Sequence, residues 1–306
     1  RLFRDRLPQA VLAMGGFTSA PPVLAGKACG AAAFLHESNS VPGRANRWLA
    51  RFVSQAYVGF PQAAARLRRT EVVPTGTPVR PEFLRVDALR CRQALGLDPQ
   101  RPVLLVTGGS QGASAINRLL IDAAPSIARQ APELQMLHLT GRTDEAAVRS
   151  AYAQHHVAAV VRAFLPEMAH ALGAATVAVS RAGASSMAEL AAVRLPALLI
   201  PYPDAADDHQ FFNAKAFADT GAAILRTQVE LTAQSLAVAL IGLLHDEVRR
   251  HAIRDALARW ESPRAAQLVA ENMLARLQTL GMLPVARPPQ AKGSDHVMHH
   301  AESARV

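Results

Sequence analysis

The sequence predicts a two-domain α/β protein built on doubly wound parallel sheets. Three observations carry that expectation. Short apolar runs bounded by glycine or proline alternate with helix-forming stretches, which is the rhythm of βαβ units. Several of these strands run straight into Gly-rich turns, as in Val103 to Val106 followed by Gly108, Gly109 and Gly112. The chain has 306 residues, half of them apolar and 5% aromatic, enough to bury two cores.

In order, Ala10 to Met14 reads as a strand, Gly15-Gly16-Phe17-Thr18-Ser19 as a turn, and Pro21 to Cys29 as a helix with Pro at its first turn. Ala31 to Leu35 is the next strand and delivers His36-Glu37-Ser38-Asn39 at its C-terminal end. Arg44 to Phe52 is a helix, and Ala56 to Gly59 and Glu71 to Val73 are short strands. The Pro-rich stretch Thr75 to Pro81 reads as a boundary. After a helix over Asp87 to Leu95, strands follow at Val103 to Thr107, Gln135 to Thr140, Ala159 to Ala163, Thr176 to Ser180 and Ala197 to Pro201. A further strand is expected at Ala222 to Leu225. A helix begins at Ala113 and runs to Ile121. Helices over Thr232 to His245 and Glu247 to Trp260 close the globule, and Ser262 to Leu280 is a final amphipathic helix. The expected division is residues 1–80, 81–261, the helix region 262–283 and a disordered tail over 284–306. In that tail His299-His300 reads as solvated.

The net charge of +9 points to an acidic partner. Cys29 and Cys91 stand far apart without a CxxC pair, which fits a reducing, cytoplasmic setting. Apolar runs such as Leu195 to Pro201 are too short to span a bilayer. The start at Arg1, without Met, hints at a missing N-terminus.

Four stretches at strand C-termini could carry chemistry. Gly108 to Ala113 is either an anion cradle, with Ser110 adding a hydroxyl, or a plain βα turn. Ser180 to Leu190 offers a second helix N-terminus. Its Glu189 is either a helix acid favoured by the dipole or an acceptor for sugar hydroxyls. Asp207 to Asn213 either caps a helix or turns His209 and Gln210 into the crevice. Phe164 to Met168 sets Leu165 where it could flank a flat base. Gly112 is followed by Ala113 and not by a Lys, so this is no Walker loop. The strand after it ends in Thr140-Gly141-Arg142, without the acid that an NAD ribose calls for. His36-Glu37 lacks the second His of a zinc pair, and no Gly-x-Ser-x-Gly elbow surrounds Ser19, Ser110 or Ser180. No metal or cofactor is expected. A cleft lined by glycine turns and one carboxylate suits a nucleotide diphosphate conjugate.

Six segments carry a family resemblance. They are Met14 to Phe17, His36 to Asn39, Gly76 to Arg80, Gly108 to Ala113, Arg181 to Ala184 with Glu189, and Asp208 to Gln210. In that order and spacing they resemble the MurG family, the bacterial peptidoglycan N-acetylglucosaminyltransferases. The resemblance covers about Ala10 to Leu280. It implies the GT-B fold, two Rossmann-like domains facing a cleft, with a last helix crossing back to the first domain. It implies UDP-GlcNAc binding by Asn39, Arg80, Ser110, Leu165, the segment Ala184, Ser185, Ser186, Met187, Ala188 and Glu189, and Gln210. The implied reaction moves GlcNAc, with inversion, to the MurNAc 4-hydroxyl of undecaprenyl-pyrophosphoryl-MurNAc-pentapeptide. The family's Gly-Gly-Thr-Gly-Gly-His loop has no counterpart here, which implies a truncated first domain and a chain that binds donor but is impaired in transfer. Glu37 is then the carboxylate to test as base, against a loop-structuring role. Arg44, Arg47, Arg51, Arg66, Arg68 and Arg69 fit docking on anionic membrane, at the cytoplasmic face of the inner membrane. The alternatives are another UDP-sugar GT-B enzyme or epimerase, and a non-enzymatic binding module. Nucleic acid is not an expected partner, since aromatic stacking platforms are lacking.

Overall fold

The computed structural model describes residues 7–109 and 112–284. The first part of the chain forms four parallel strands, β1 (Ala10–Ala13), β2 (Ala32–Glu37), β3 (Gln55–Val58) and β4 (Val72–Pro74), paired in that order. Helix α1 (Ala20–Ala28) links β1 to β2, and α2 (Arg44–Leu49) links β2 to β3. Side chains of β2 alternate between the two faces of this sheet. Ala33 and Leu35 join a core with Val23 of α1 and Leu49 of α2, whereas Ala32 and Phe34 face the other way with Tyr57.

After α3 (Ala88–Ala94), capped by the Asp87 carboxylate accepting from the Arg90 N–H at 2.8 Å, a second sheet begins. Its strands are β5 (Val103–Thr107), β6 (Gln135–Leu139), β7 (Ala159–Arg162), β8 (Val177–Ser180), β9 (Ala197–Leu199) and β10 (Ile224–Leu225). The helices between them are α4 (Ser114–Gln130), α5 (Glu145–Gln154), α6 (Met168–Ala174), α7 (Ala184–Ala192) and α8 (His209–Asp219). Every residue of β5, β6, β8 and β9 is buried, which is why β5, β8 and β9 are almost wholly Val, Leu and Ala; β6 also buries Gln135 and His138, each hydrogen-bonded. The order is β10-β9-β8-β5-β6-β7, all parallel. The chain therefore winds outward from β5 to β7, then restarts on the other side of β5 at β8. The reversal opens a crevice at the carboxyl ends of β5 and β8, the place where such sheets bind ligands.

Helices α9 (Ala233–His245) and α10 (Glu247–Ala258) cover the second sheet, and α11 (Ala265–Thr279) returns to the first. Val269 and Leu277 of α11 are buried against Phe34 and Tyr57, whose rings lie 6.3 Å apart and nearly parallel. Each fully buried ring contributes roughly 1.5–3 kcal/mol. The two chain crossings between the sheets touch each other. Gly76 has φ +78°, and a Cβ there would strike Ser262. Phe60 beside the first sheet packs on Phe217 and Trp260 beside the second, with centroids 5.9 and 5.4 Å away.

Several segment ends differ from the sequence expectation, among them those of β2, α4 and α2. β2 does not stop at Leu35 but carries His36 and Glu37 into register with Tyr57 and Val58, because both polar side chains find buried partners. α4 does not end at Ile121 but continues through Pro125 to Gln130, its buried Ile116, Leu120, Ala124 and Ile127 outweighing the missing N–H. α2 ends at Leu49, so Arg51 and Phe52 lie in the following turn. The segment expected to be a disordered tail lies beyond the described residues, except Pro284.

Candidate functional site

Two helix N-termini stand at the crevice of the second sheet. α4 starts after Ala113 and α7 after Gly183, and neither has a side chain capping its first turn. The first amides of each helix, through Ile116 and Ser186, therefore lack intrahelical partners and can donate to an anion. Gly112 is required at the first of these turns. Its φ is +78°, and a Cβ would strike the Thr140 carbonyl.

Behind the turns lies a buried cation. Arg181, 8% exposed, donates to the Ile200 and Pro201 carbonyls at 3.1 and 3.0 Å and to Gln228 Oε1 at 2.9 Å. Burial lowers its pKa from the usual guanidinium value. Gly108, Gly109, Ser114, Arg181 and Gln210 line one open pocket. Gln210 accepts through Oε1 from the N–H groups of Ala182 and Tyr202, at 3.2 and 3.0 Å. Both bonds use the amide oxygen, so the NH2 group is the end suited to donate to a ligand.

The facing edge of the first sheet supplies a second pocket. Gly15, Gly16, Glu37, Asn39 and Gly43 line it from one side, Ala184 and Ser185 from the other. The structure thus brings Asn39 opposite the start of α7. Within that segment Ser185 is exposed, whereas Met187 is fully buried in the core and points away. Glu189, one turn further along α7, is half-buried. Burial raises its carboxyl above the ordinary range, Arg80 opposes that rise, and Glu82 adds to it. Arg80 pairs with Glu82 at 3.0 Å and lies over the Phe83 ring at 5.1 Å. Leu165 packs against the main core on the loop after β7. That loop is two strands from β5, roughly 10 Å along the sheet, and Leu165 lines neither pocket. Ser110 lies outside the described residues.

Glu37 holds a loop together. Oε1 accepts from the Asn39 backbone N–H and side-chain Nδ2 at 2.8 and 3.1 Å, and Oε2 from Gly43 N–H and Asn46 Nδ2 at 3.1 and 2.7 Å. Four donors fill a carboxylate's four lone-pair directions, so none is open to take a proton from a substrate hydroxyl. The neighbouring His36 is completely buried and donates from Nε2 to the Gly76 carbonyl at 2.9 Å, which leaves Nδ1 to accept from Ser38 Oγ at 3.2 Å. Desolvation lowers its pKa, against the pull of Gly76 and Glu37.

The residues that sequence reasoning missed are Arg181, Asn46 and Asn213. Arg181 and Asn213 stood inside segments already singled out, yet nothing local marks them as buried. Their partners are strand-end carbonyls and loop amides far away in sequence.

The sequence matches known proteins over most of its length. The glycosyltransferase family 28 C-terminal domain matches over residues 103–269, and the family's N-terminal domain over residues 1–58. A UDP-N-acetylglucosamine–N-acetylmuramyl-(pentapeptide) pyrophosphoryl-undecaprenol N-acetylglucosamine transferase from Synechococcus elongatus is 42% identical over 244 residues, 80% of this chain. The chain spans 66% of that relative's length. The transferase of the same name from Desulforudis audaxviator is 37% identical over 279 residues, covering 88% of this chain and 74% of its own. The crystal structure of Acinetobacter baumannii MurG superposes with a TM-score of 0.70 at 28% identity, over 90% of this chain and 77% of that one. Two Rossmann-like parallel sheets facing a cleft, with these matches across both, are a GT-B arrangement, and the chain belongs to glycosyltransferase family 28.

Proposed function

We propose that the cleft binds UDP-GlcNAc and serves transfer of GlcNAc to the MurNAc 4-hydroxyl of undecaprenyl-pyrophosphoryl-MurNAc-pentapeptide, with inversion, in peptidoglycan synthesis. The observation that carries this reading is the pair of uncapped helix N-termini at the crevice, α4 and α7, beside Gln210 and Arg181. Their amides suit the diphosphate, and in the transfer step they would stabilise the departing UDP, whose charge grows as the glycosidic bond breaks. Gln210 offers a neutral donor for the sugar, and the half-buried Glu189 an acceptor for ribose hydroxyls. Arg80 and Asn39 reach the same cleft from the linker and the first sheet. The Glu37 carboxylate is spent on its loop, so we assign it no part in deprotonating the acceptor.

The acceptor in this reading is lipid-linked, and a surface of the first sheet suits the membrane. Phe17 and Met14 are 84% and 55% exposed and lie beside Arg44, while Trp48, Arg47, Arg51 and Lys27 are exposed on or near α2. Apolar tips amid cations fit docking on an anionic leaflet, at about 1 kcal/mol per basic residue near the surface. We place this surface on the cytoplasmic face of the bacterial inner membrane, as a peripheral contact. No helix among the described residues is long and apolar enough to cross a membrane.

Donor binding and transfer should be measured separately, by calorimetry with UDP-GlcNAc and by product formation from a lipid-linked acceptor. Saturable UDP-GlcNAc binding is expected. Release of a different sugar from UDP-GlcNAc alone would favour an epimerase, a rival on the same fold.

A further inference from the structure

Helix α8 presents Gln210 and Asn213, one turn apart, to the N–H and the carbonyl of one residue, Ala182. Gln210 Oε1 accepts from the Ala182 N–H at 3.2 Å, and Asn213 Nδ2 donates to the Ala182 carbonyl at 3.1 Å. The remaining bonds of Asn213 cross to the other sheet. Nδ2 donates to Asn39 Oδ1 at 3.0 Å, and Oδ1 accepts from the Ser40 N–H at 2.8 Å. Asn213 is completely buried, and three of the four bonds a primary amide can make are made. One side chain therefore ties the loop after β2 to the loop between β8 and α7. It does so at the floor of the cleft, directly behind the free amides of α7.

We propose that Asn213 is a positioning residue that carries Asn39 from the first sheet to the sugar nucleotide held by the second. Its neighbours show how it would act. Asn39 spends Oδ1 on Asn213 and both its backbone N–H and one Nδ2–H on Glu37, which leaves the second Nδ2–H to face the cleft. Gln210, on the same helix, holds the N–H of the same Ala182, so the group that recognises the sugar and the group that aligns the two sheets share one rigid support. Among the described side-chain hydrogen bonds between the loops of the two sheets, the other is the Arg47–Asp207 pair at 2.9 Å, solvent-exposed on both sides and weak. The packing of Phe60 on Phe217 and Trp260 holds the sheets together as well, but it is apolar and does not orient the Asn39 amide. Replacing Asn213 by any apolar residue would leave the Ser40 N–H and the Ala182 carbonyl without partners in a buried place.

This inference rests on the donor reading of the cleft, and its test separates the two. UDP-GlcNAc affinity is measured for the intact chain, for Asn39→Ala, for Asn213→Ala and for the double variant. Each single change is expected to weaken binding about five- to tenfold, the scale of one neutral hydrogen bond. The double variant should be no weaker than the worse single one, because Asn213 acts through Asn39. Losses that multiply would overturn the proposal. If Asn213→Ala does not fold, Asn213→Asp enters the same cycle, since it keeps the acceptor for Ser40 and loses both donated bonds. Amide hydrogen exchange without ligand provides a second readout. Asn213→Ala should speed exchange at Ser40 while the β8 amides stay protected, and unchanged exchange at Ser40 would overturn the tie whether or not the donor binds.

Discussion

Asn117, in the first turn of α4, accepts at Oδ1 a hydrogen bond from His138 Nε2 on β6, at 2.9 Å. The direction follows from its other end, since Asn117 Nδ2 donates to the Thr140 carbonyl and to Asp144 Oδ2, both at 2.8 Å. His138 Nδ1 then accepts from Tyr152 OH at 2.8 Å. A neutral, fully buried imidazole thus braces the turn that offers its amides at the crevice.

Acid should undo that brace. Burial pushes the His138 pKa down to about 3, and His36 is lowered by the same cause. The unfolded chain takes up these protons near pH 6.5. The His138 contribution is therefore fully present above about pH 6.5 and is lost as pH falls toward 3, by up to about 1.4 kcal/mol per pH unit, and His36 adds a loss of the same sign below about pH 6.5. Thermal melting between pH 7.5 and 4.5 checks this. His138→Gln, which cannot charge, should flatten the slope by about one proton's worth; an unaltered slope would contradict the assignment.

Glu37→Gln distinguishes a loop carboxylate from a base. The amide has one acceptor oxygen where four donors converged, so the variant should lose roughly 1.5–3 kcal/mol of stability and bind UDP-GlcNAc more weakly. Denaturant unfolding and calorimetry measure both. A fully stable variant with normal donor affinity and abolished transfer would instead return Glu37 to the chemistry.

Leu277 tests the attachment of α11 to the first sheet. It is 5% exposed beside Phe34 and Tyr57, and Leu277→Ala should cost about 2–5 kcal/mol. Urea unfolding followed by tyrosine fluorescence or circular dichroism gives the value. A loss below about 0.5 kcal/mol would mean that the sheet does not depend on this helix.

How much of this was legible in the sequence follows from where each signal resides. The strands β5, β8 and β9 announce themselves because burial on both faces makes them nearly uninterrupted apolar runs. The end of β2 does not, because His36 and Glu37 are polar and their burial depends on Gly76, Asn39, Gly43 and Asn46. Gln210 could be singled out as a polar residue on a post-strand loop, yet its grip on Ala182 and Tyr202 belongs to the fold. Asn213 is the extreme case. It meets Asn39 and Ser40 across more than 170 residues of chain, and no local pattern encodes such a partner. The path of α4 through Pro125 was hidden because a proline outweighs a periodic apolar face in any local reading.

The most direct test of the account is a calorimetric titration of the chain with UDP-GlcNAc, alongside UDP and UDP-glucose. The account expects one saturable site, with UDP-GlcNAc bound more tightly than UDP-glucose and with UDP competing for the same place. A chain that takes up none of the three, or that binds UDP-glucose as well as UDP-GlcNAc, would contradict it.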